Sequence, residues 1–374
     1  MESVLAISRG GDIALTVFLF AVGLLLIIKG GDWFVDSASR IAEISGIPSF
    51  IIGATVVSLG TTLPELITSA IAAGQGNIDI AIGNAVGSVN ANIGLIMAVS
   101  LLFMPHAFDK KTYLFKGLTM IAAVVILFLM SLKGYLNAYL SIILLAIFVA
   151  FVAENIIVGK KEAARANVMD NGLKPAVIEA GEGATNTETT ENAPAPSSDG
   201  VKPVEIPVEE SVEAAKKAKA DKTRIIVKSV IMFIIGAAAI VGGAQLLVTY
   251  GSKLAGYMRV PERIVAITFV AIGTSLPELV TTITSIVKKK HDLSIGNIIG
   301  ANVIDLCLIL PICAMITGGT LPVSQKSLFI DMPFCIGFAL LAIIPAWASK
   351  KFSRAQGATI LATYVAYMVL SIVL

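Results

Sequence analysis

Ten stretches of this 374-residue chain stay apolar over about the 20 residues a helix needs to cross a hydrocarbon core of roughly 30 Å. They run over 13–29, 47–72, 80–104, 114–132 and 136–158, then over 225–250, 262–287, 293–317, 327–348 and 355–374. A polar stretch, 159–224, separates the two groups of five. It holds Gly-Glu-Gly-Ala-Thr-Asn-Thr-Glu-Thr-Thr-Glu-Asn-Ala-Pro-Ala-Pro at 181–196, and low hydrophobicity with Pro, Glu, Ser and Thr predicts disorder. The pattern therefore predicts an all-α polytopic membrane protein of ten transmembrane helices. Residues 1–158 form one five-helix unit, 159–224 a disordered linker that tethers the halves, and 225–374 a second unit. The least fixed boundaries are those of the second and seventh helices, which carry prolines. Met1-Glu2-Ser3 and Arg9 precede the first apolar segment and no small-residue cleavage site follows it, so it reads as a retained helix.

The two units are copies. Ser-Leu-Gly-Thr-Thr-Leu-Pro-Glu-Leu at 58–66 returns as Ala-Ile-Gly-Thr-Ser-Leu-Pro-Glu-Leu at 271–279, 213 positions later. At the same offset Gly30 matches Gly243, Pro48 matches Pro261 and Asp79 matches Asp292. Ile82-Gly83-Asn84 matches Ile295-Gly296-Asn297, Gly87 matches Gly300, and Asn92 falls on Asp305. A register held this far means tandem duplication.

Composition agrees with a membrane protein: 56% of residues are hydrophobic and 14% charged, against roughly 25% charged in soluble domains. A net charge of +2 gives no reason to expect a nucleic-acid partner. Cys307, Cys313 and Cys335 sit in predicted spans without metal-ligand spacing and read as packing residues. Lys and Arg divide unevenly between alternate connections. One set holds Lys29, Arg40, Lys110, Lys111, Lys116, Lys288, Lys289, Lys290, Lys350, Lys351 and Arg354 besides the linker. The other holds Arg9, Lys133, Lys253, Arg259, Arg263 and Lys326. The positive-inside rule then places both termini outside and the central loop in the cytoplasm, in the multi-pass manner of a plasma or inner membrane protein. Because five is odd, the second copy enters from the opposite face. The duplication becomes an inverted repeat, the architecture of secondary transporters with a midplane site.

The repeated motif carries the chemistry. Proline has no N–H for the carbonyl four residues back, so Pro64 frees the carbonyl of Gly60 and strains the turn at Thr61. Pro277 does the same to Gly273 and Thr274. Orphan carbonyls in lipid need another partner, and a cation would serve. Thr61, Thr62, Thr274 and Ser275 add hydroxyls there, and Glu65 and Glu278 add charge. Carboxylate, carbonyl and hydroxyl oxygens suit Ca2+ or Na+ better than zinc or copper. A charge at the bilayer centre costs at least ~2.5–3.5 kcal/mol, and neither motif holds a Lys or Arg to offset it. The plain alternative is a proline kink with each glutamate protonated and hydrogen-bonded. In the second motif, Ser88 and Asn92 lie four apart, as do Ala301 and Asp305, so each pair shares a helical face. Gly83 with Gly87, and Gly296 with Gly300, allow close helix approach. A small-residue packing face accounts for the glycines but leaves Asn92 and Asp305 unexplained. Glu154 reads as a snorkelling or capping residue, Asp32 and Asp36 as interfacial, and His106 and His291 as solvated. No phosphate loop, zinc-protease motif or Ser/His/Asp arrangement is present, so nothing supports use of ATP.

At Gly-Thr-Thr-Leu-Pro-Glu (60–65) with Gly-Asn-Ala-Val-Gly-Ser (83–88), and Gly-Thr-Ser-Leu-Pro-Glu (273–278) with Gly-Asn-Ile-Ile-Gly-Ala (296–301), the chain resembles the sodium/calcium exchangers of the cation/calcium antiporter superfamily. It looks like a short prokaryotic member, similar over the whole membrane part. The resemblance implies a Ca2+ site and overlapping Na+ sites between the second, third, seventh and eighth helices. Glu65 and Glu278 would be the Ca2+ carboxylates, with backbone oxygens of Thr61 and Thr274. Thr62, Ser275, Ser88, Asn92 and Asp305 would give side-chain oxygens, and Ser58 and Ala271 backbone carbonyls. The first and sixth helices would slide to switch access. Ala301 departs from a family serine and leaves one Na+ site in question; Thr62 replaces the more usual serine. Asp305 also occurs in potassium-dependent relatives. The reading is an Na+/Ca2+ antiporter acting as a monomer in the lipid bilayer, with no resident cofactor and no enzymatic activity. Ca2+/H+ exchange on the same scaffold, K+-dependent exchange and a cation channel are the rivals.

Overall fold

In a bilayer no water satisfies backbone groups, so an apolar chain closes its hydrogen bonds within helices. Helix dominates the computed structural model, which describes residues 2–105, 110–172, 208–258 and 275–373. The first copy contributes α1 (Glu2–Ser45), α2 (Ser49–Thr61), α3 (Leu63–Gly74), α4 (Ile78–Phe103), α5 (Lys110–Ser131), β1 (Tyr135–Asn137) and α6 (Ala138–Gly172). The second contributes α7 (Val208–Tyr257), α8 (Leu276–Val287), α9 (His291–Ile316), β2 (Thr320–Pro322), α10 (Ser327–Ser349) and α11 (Arg354–Val373). Among the described residues, 7 helices are long and apolar enough to cross a membrane, and α2 with α3, bent by 45° at Thr62, makes 8. The segment before α8, including the whole first half of the expected span 262–287, lies outside the described residues. So does 173–207 of the expected linker. The described parts of that linker are helical, because α6 runs on to Gly172 and α7 starts at Val208.

The 213-residue offset governs structure as well as sequence. Leu63–Gly74 of the first copy becomes Leu276–Val287, and the opening α-helical part of α4, Ile78–Ala91, becomes His291–Ile304 of α9. Each of the latter then passes into a π-helical turn, Asn92–Met97 and Asp305–Ile309.

Polarity is distributed inside out. Leu25, Phe18, Ile157, Val149 and Val369 face outward, whereas Ser58, Glu65, Asn90, Asn302 and Asp305 are buried, the arrangement expected when lipid is the solvent. The first helices of the two copies, α1 and α7, pack closely along their lengths. A Cβ on Gly30 would stand 2.9 Å from the carbonyl oxygen of Gly236, and one on Gly243 2.8 Å from that of Gly23. Only glycine lets the backbones come so near. Positions fall on one helix as they rise on the other, so α1 and α7 run antiparallel. Under the 213-residue offset, each glycine contact is the image of the other. Nearby, Phe34 stacks on Phe233 with ring centroids 4.3 Å apart.

Two features depart from the expectation. A short antiparallel pair, β1 with β2, sets Leu136 opposite Leu321 and ties the copies together, so the described chain is not wholly helical. Lys116, expected in a loop, lies fully buried because α5 begins six residues earlier, at Lys110. Its ammonium donates to Glu154 Oε2 at 2.7 Å and to Asn155 Oδ1, and sits 5.5 Å from the Phe151 ring centroid. Glu154 is thus the partner of a buried cation rather than a snorkelling residue.

Candidate functional site

Helix α2 ends and α3 begins because Pro64 cannot continue the hydrogen-bond ladder. Thr62 at the break has φ −87° and ψ 0°, and Ser275, its counterpart before Pro277, has φ −89° and ψ 8°. Both stand in the N-cap position favoured by hydroxyl residues, yet neither caps with its side chain. Their hydroxyls reach across to the other copy. Thr62 Oγ1 donates to Glu278 Oε1 at 3.1 Å, and Ser275 Oγ donates to Ser88 Oγ at 3.4 Å.

The breaks aim the two glutamates inward. Glu65 and Glu278 occupy the first turns of α3 and α8, where the helix dipole favours an anion, and each is 1% exposed. Asp305, where α9 enters its π-helical turn, is fully buried, and Glu65, Glu278 and Asp305 lie within Coulombic reach of one another. Both carboxylate oxygens of Glu65, both of Asp305 and Oε2 of Glu278 have no hydrogen-bond partner among the described residues. Uncompensated carboxylates in so dry a place are strongly unfavourable.

Neutral oxygens and amides surround them. Thr61 Oγ1 donates to Asn297 Oδ1 at 3.2 Å and to the Ser58 carbonyl at 3.3 Å. Asn84 Nδ2 donates to the Glu65 carbonyl at 3.1 Å and to Ser69 Oγ at 2.8 Å. Asn92 Nδ2 donates to Asn302 Oδ1 at 3.1 Å, leaving its own Oδ1 unpartnered among the described residues. The crossing of α2 over α9 holds this set together. A Cβ on Gly296 would lie 2.2 Å from the Phe50 carbonyl oxygen, and one on Gly300 2.5 Å from that of Ala54. The close approach expected at Gly296 and Gly300 is present. A Cβ on Gly83 or Gly87 would meet no described atom of another element within 4 Å, so the close approach expected there is not seen among the described residues.

Of the predicted site residues, Ser58, Thr61, Thr62, Glu65, Ser88, Asn92, Ser275, Glu278 and Asp305 are buried on the converging helices. Ala271 and Thr274 lie outside the described residues. Ala301 is buried and brings no oxygen. The sequence motifs alone do not point to Asn84, Asn297, Ser69 and Asn302 as polar partners in the site. The repeated Gly-Asn pair at 83–84 and 296–297 was the available signal for two of them. Among the described residues no three His, Cys, Asp or Glu side chains form a metal cluster, so a cation here would rely on neutral oxygens beside the carboxylates. That donor set fits Ca2+ or Na+.

The family model described as "Sodium/calcium exchanger protein" matches residues 15–156 and 228–373. The chain is 30% identical to the "Uncharacterized membrane protein MJ0091" of Methanocaldococcus jannaschii over 360 residues, covering 94% of this chain and 96% of the relative. It is 29% identical to the "Sodium/calcium exchanger MaX1" of Methanosarcina acetivorans, covering 96% and 98% of the two chains. A solved structure of the sodium-calcium exchanger NCX_Mj, soaked with Na+ and Sr2+, superposes with a TM-score of 0.72 at 27% identity, over 96% of this chain and 99% of that one.

Proposed function

The chain belongs to the sodium/calcium exchanger protein family, a family of transporters rather than enzymes, and we propose that it exchanges Na+ for Ca2+ across its membrane by alternating access. The observation that carries this reading is the pair of buried glutamates, one per copy, with unpartnered oxygens on both and one hydroxyl bond between the copies, from Thr62 to Glu278. Two carboxylates balance one Ca2+ or two Na+. A loaded site can then be closed off from water cheaply, whereas an empty charged one cannot. That difference couples the two ions without any resident cofactor or ATP. Glu65 and Glu278 would bind Ca2+, with backbone oxygens of Thr61 and Thr274. Thr62, Ser88, Asn92, Ser275 and Asp305 would complete the flanking Na+ positions with carbonyls of Ser58 and Ala271.

The antiparallel, offset-related contacts of α1 with α7 support two inverted five-helix repeats with the site near the midplane. The charge bias of the connections supports outward termini and a cytoplasmic central loop. All the proposed ligands belong to one chain, which supports a functional monomer. The buried, unpartnered Asp305 favours a second reading in which K+ is carried as well.

Purified protein in liposomes tests both, with radiolabelled Ca2+ uptake driven by an outward Na+ gradient, with and without K+ and a pH gradient. Uptake on the Na+ gradient without K+ is expected. Glu65→Gln or Glu278→Gln should lower it by about a hundredfold, from the loss of a charged ligand interaction, while the gel-filtration profile stays unchanged. Uptake driven only by the pH gradient would move the assignment to Ca2+/H+ exchange.

A further inference from the structure

Beyond Glu278, helix α8 carries oxygens that the site above does not use. Thr281, Thr282 and Ser285 follow it by three, four and seven residues, which is one face of a helix, and all are fully buried. None of their hydroxyls has a hydrogen-bond partner among the described residues, a costly arrangement that valine or alanine would avoid. The matching positions of the first copy are Thr68, Ser69 and Ala72. There Ser69 is held by Asn84 and the third hydroxyl is missing. The unpartnered run is particular to α8. The same helix packs against Ala98–Phe103 of α4, and within that stretch Ser100 Oγ lies 3.4 Å from Ser294 Oγ of α9.

The far end of the run is tied to α1. Lys288 pairs with Asp32 at 3.1 Å and with Asp36 at 2.8 Å, and Lys290 with Glu43 at 3.2 Å, so three carboxylates of α1 hold the turn after α8. A Cβ on Gly31 would stand 2.6 Å from Thr284 Oγ1, so α1 lies directly on α8. Burial works against the Lys288 ammonium, but Asp36 and Asp32 outweigh it and hold the lysine above its ordinary value. The pairs therefore persist at neutral pH.

We propose that the hydroxyl face of α8 is a transit subsite for Na+ and Ca2+ between Glu278 and the turn 288–290, closed in this conformation by α1 through the Lys288 pairs. The proposal rests on the reading of the protein as a cation antiporter. Hydroxyl oxygens are suitable stepping stones because they replace part of a hydration shell without adding charge, and so bind weakly enough to let go.

Two measurements test it. Thr282→Val with Ser285→Ala should slow Na+-driven Ca2+ uptake about tenfold, as expected for lost oxygen contacts to an ion, with equilibrium Ca2+ binding in detergent unchanged. Unchanged uptake overturns the proposal, and so does an equal loss of binding, which would place these hydroxyls in the main site. Ser285→Cys should react slowly with a small cationic thiol reagent and about fivefold faster when Lys288→Gln is added, since one screened ion pair typically accounts for up to this factor. Equal reaction rates in the two backgrounds overturn the latch. Absence of Na+-driven uptake in the unaltered protein would instead count against the function proposed above, and the thiol measurement stands apart from it.

Discussion

A lysine ammonium without exposed surface inside an apolar helix is held there by its acceptors. Lys116 has Glu154 and Asn155 as acceptors, with the Phe50 and Phe151 rings around it. Such a pair adds little net stability, yet removing one partner strands the other and costs about 3–5 kcal/mol. Lys116→Met should therefore lower the unfolding temperature in detergent sharply, and adding Glu154→Met should recover most of the loss. No recovery in the double variant would show that Lys116 acts through packing alone. This pair was not legible in the sequence. Lys116 follows Lys110 and Lys111 closely enough to read as a loop charge, and its partner lies 38 positions on, in another helix. Glu65 and Glu278 were legible for the opposite reason. Each stands beside a helix-breaking proline in an apolar run, and the same combination occurs twice.

Between elements, the decisive contact is α2 on α9. Gly296 and Gly300 bring the backbones together, and Thr61 then meets Asn297 across the crossing at 3.2 Å. A methyl group at Gly296 has no room against the Phe50 carbonyl, and overpacking of this kind costs about 1–3 kcal/mol. Gly296→Ala should lower the unfolding temperature and also weaken Ca2+ binding measured by calorimetry, because α2 must move and carry Thr61 and Thr62 with it. A variant that loses stability but binds Ca2+ as before would disconnect this crossing from the site. The glycine spacing announced the close approach, and the proline announced the break at Thr62. The polar ends of α6 and α7 did not show in hydropathy, since helix propensity and packing extend a helix past its apolar part. The β1–β2 pair was equally hidden, because three residues per strand leave no alternating pattern to read.

At the scale of the whole molecule, the site exists only where the copies meet. Thr61 reaches Asn297, Thr62 reaches Glu278, Ser275 reaches Ser88 and Asn92 reaches Asn302, each bond joining one copy to the other. Asn90 donates to the Asp331 carbonyl at 3.0 Å and Tyr113 to that of Ala342 at 3.1 Å, again between copies. The described ends of α6 and α7 show that covalent continuity is carried by the polar stretch between Gly172 and Val208, and none of these bonds involves it. Association of the halves should therefore survive a cut there, because the buried seam rather than the tether holds them together. Residues 1–172 and 208–374, produced together as separate chains, are expected to co-purify and to recover Na+-driven Ca2+ uptake in liposomes. Each alone should bind no Ca2+, since it carries one glutamate and lacks the hydroxyl donated from the other copy. Transport by either half alone, even as a pair of identical halves, would mean that the cation site is not the shared one.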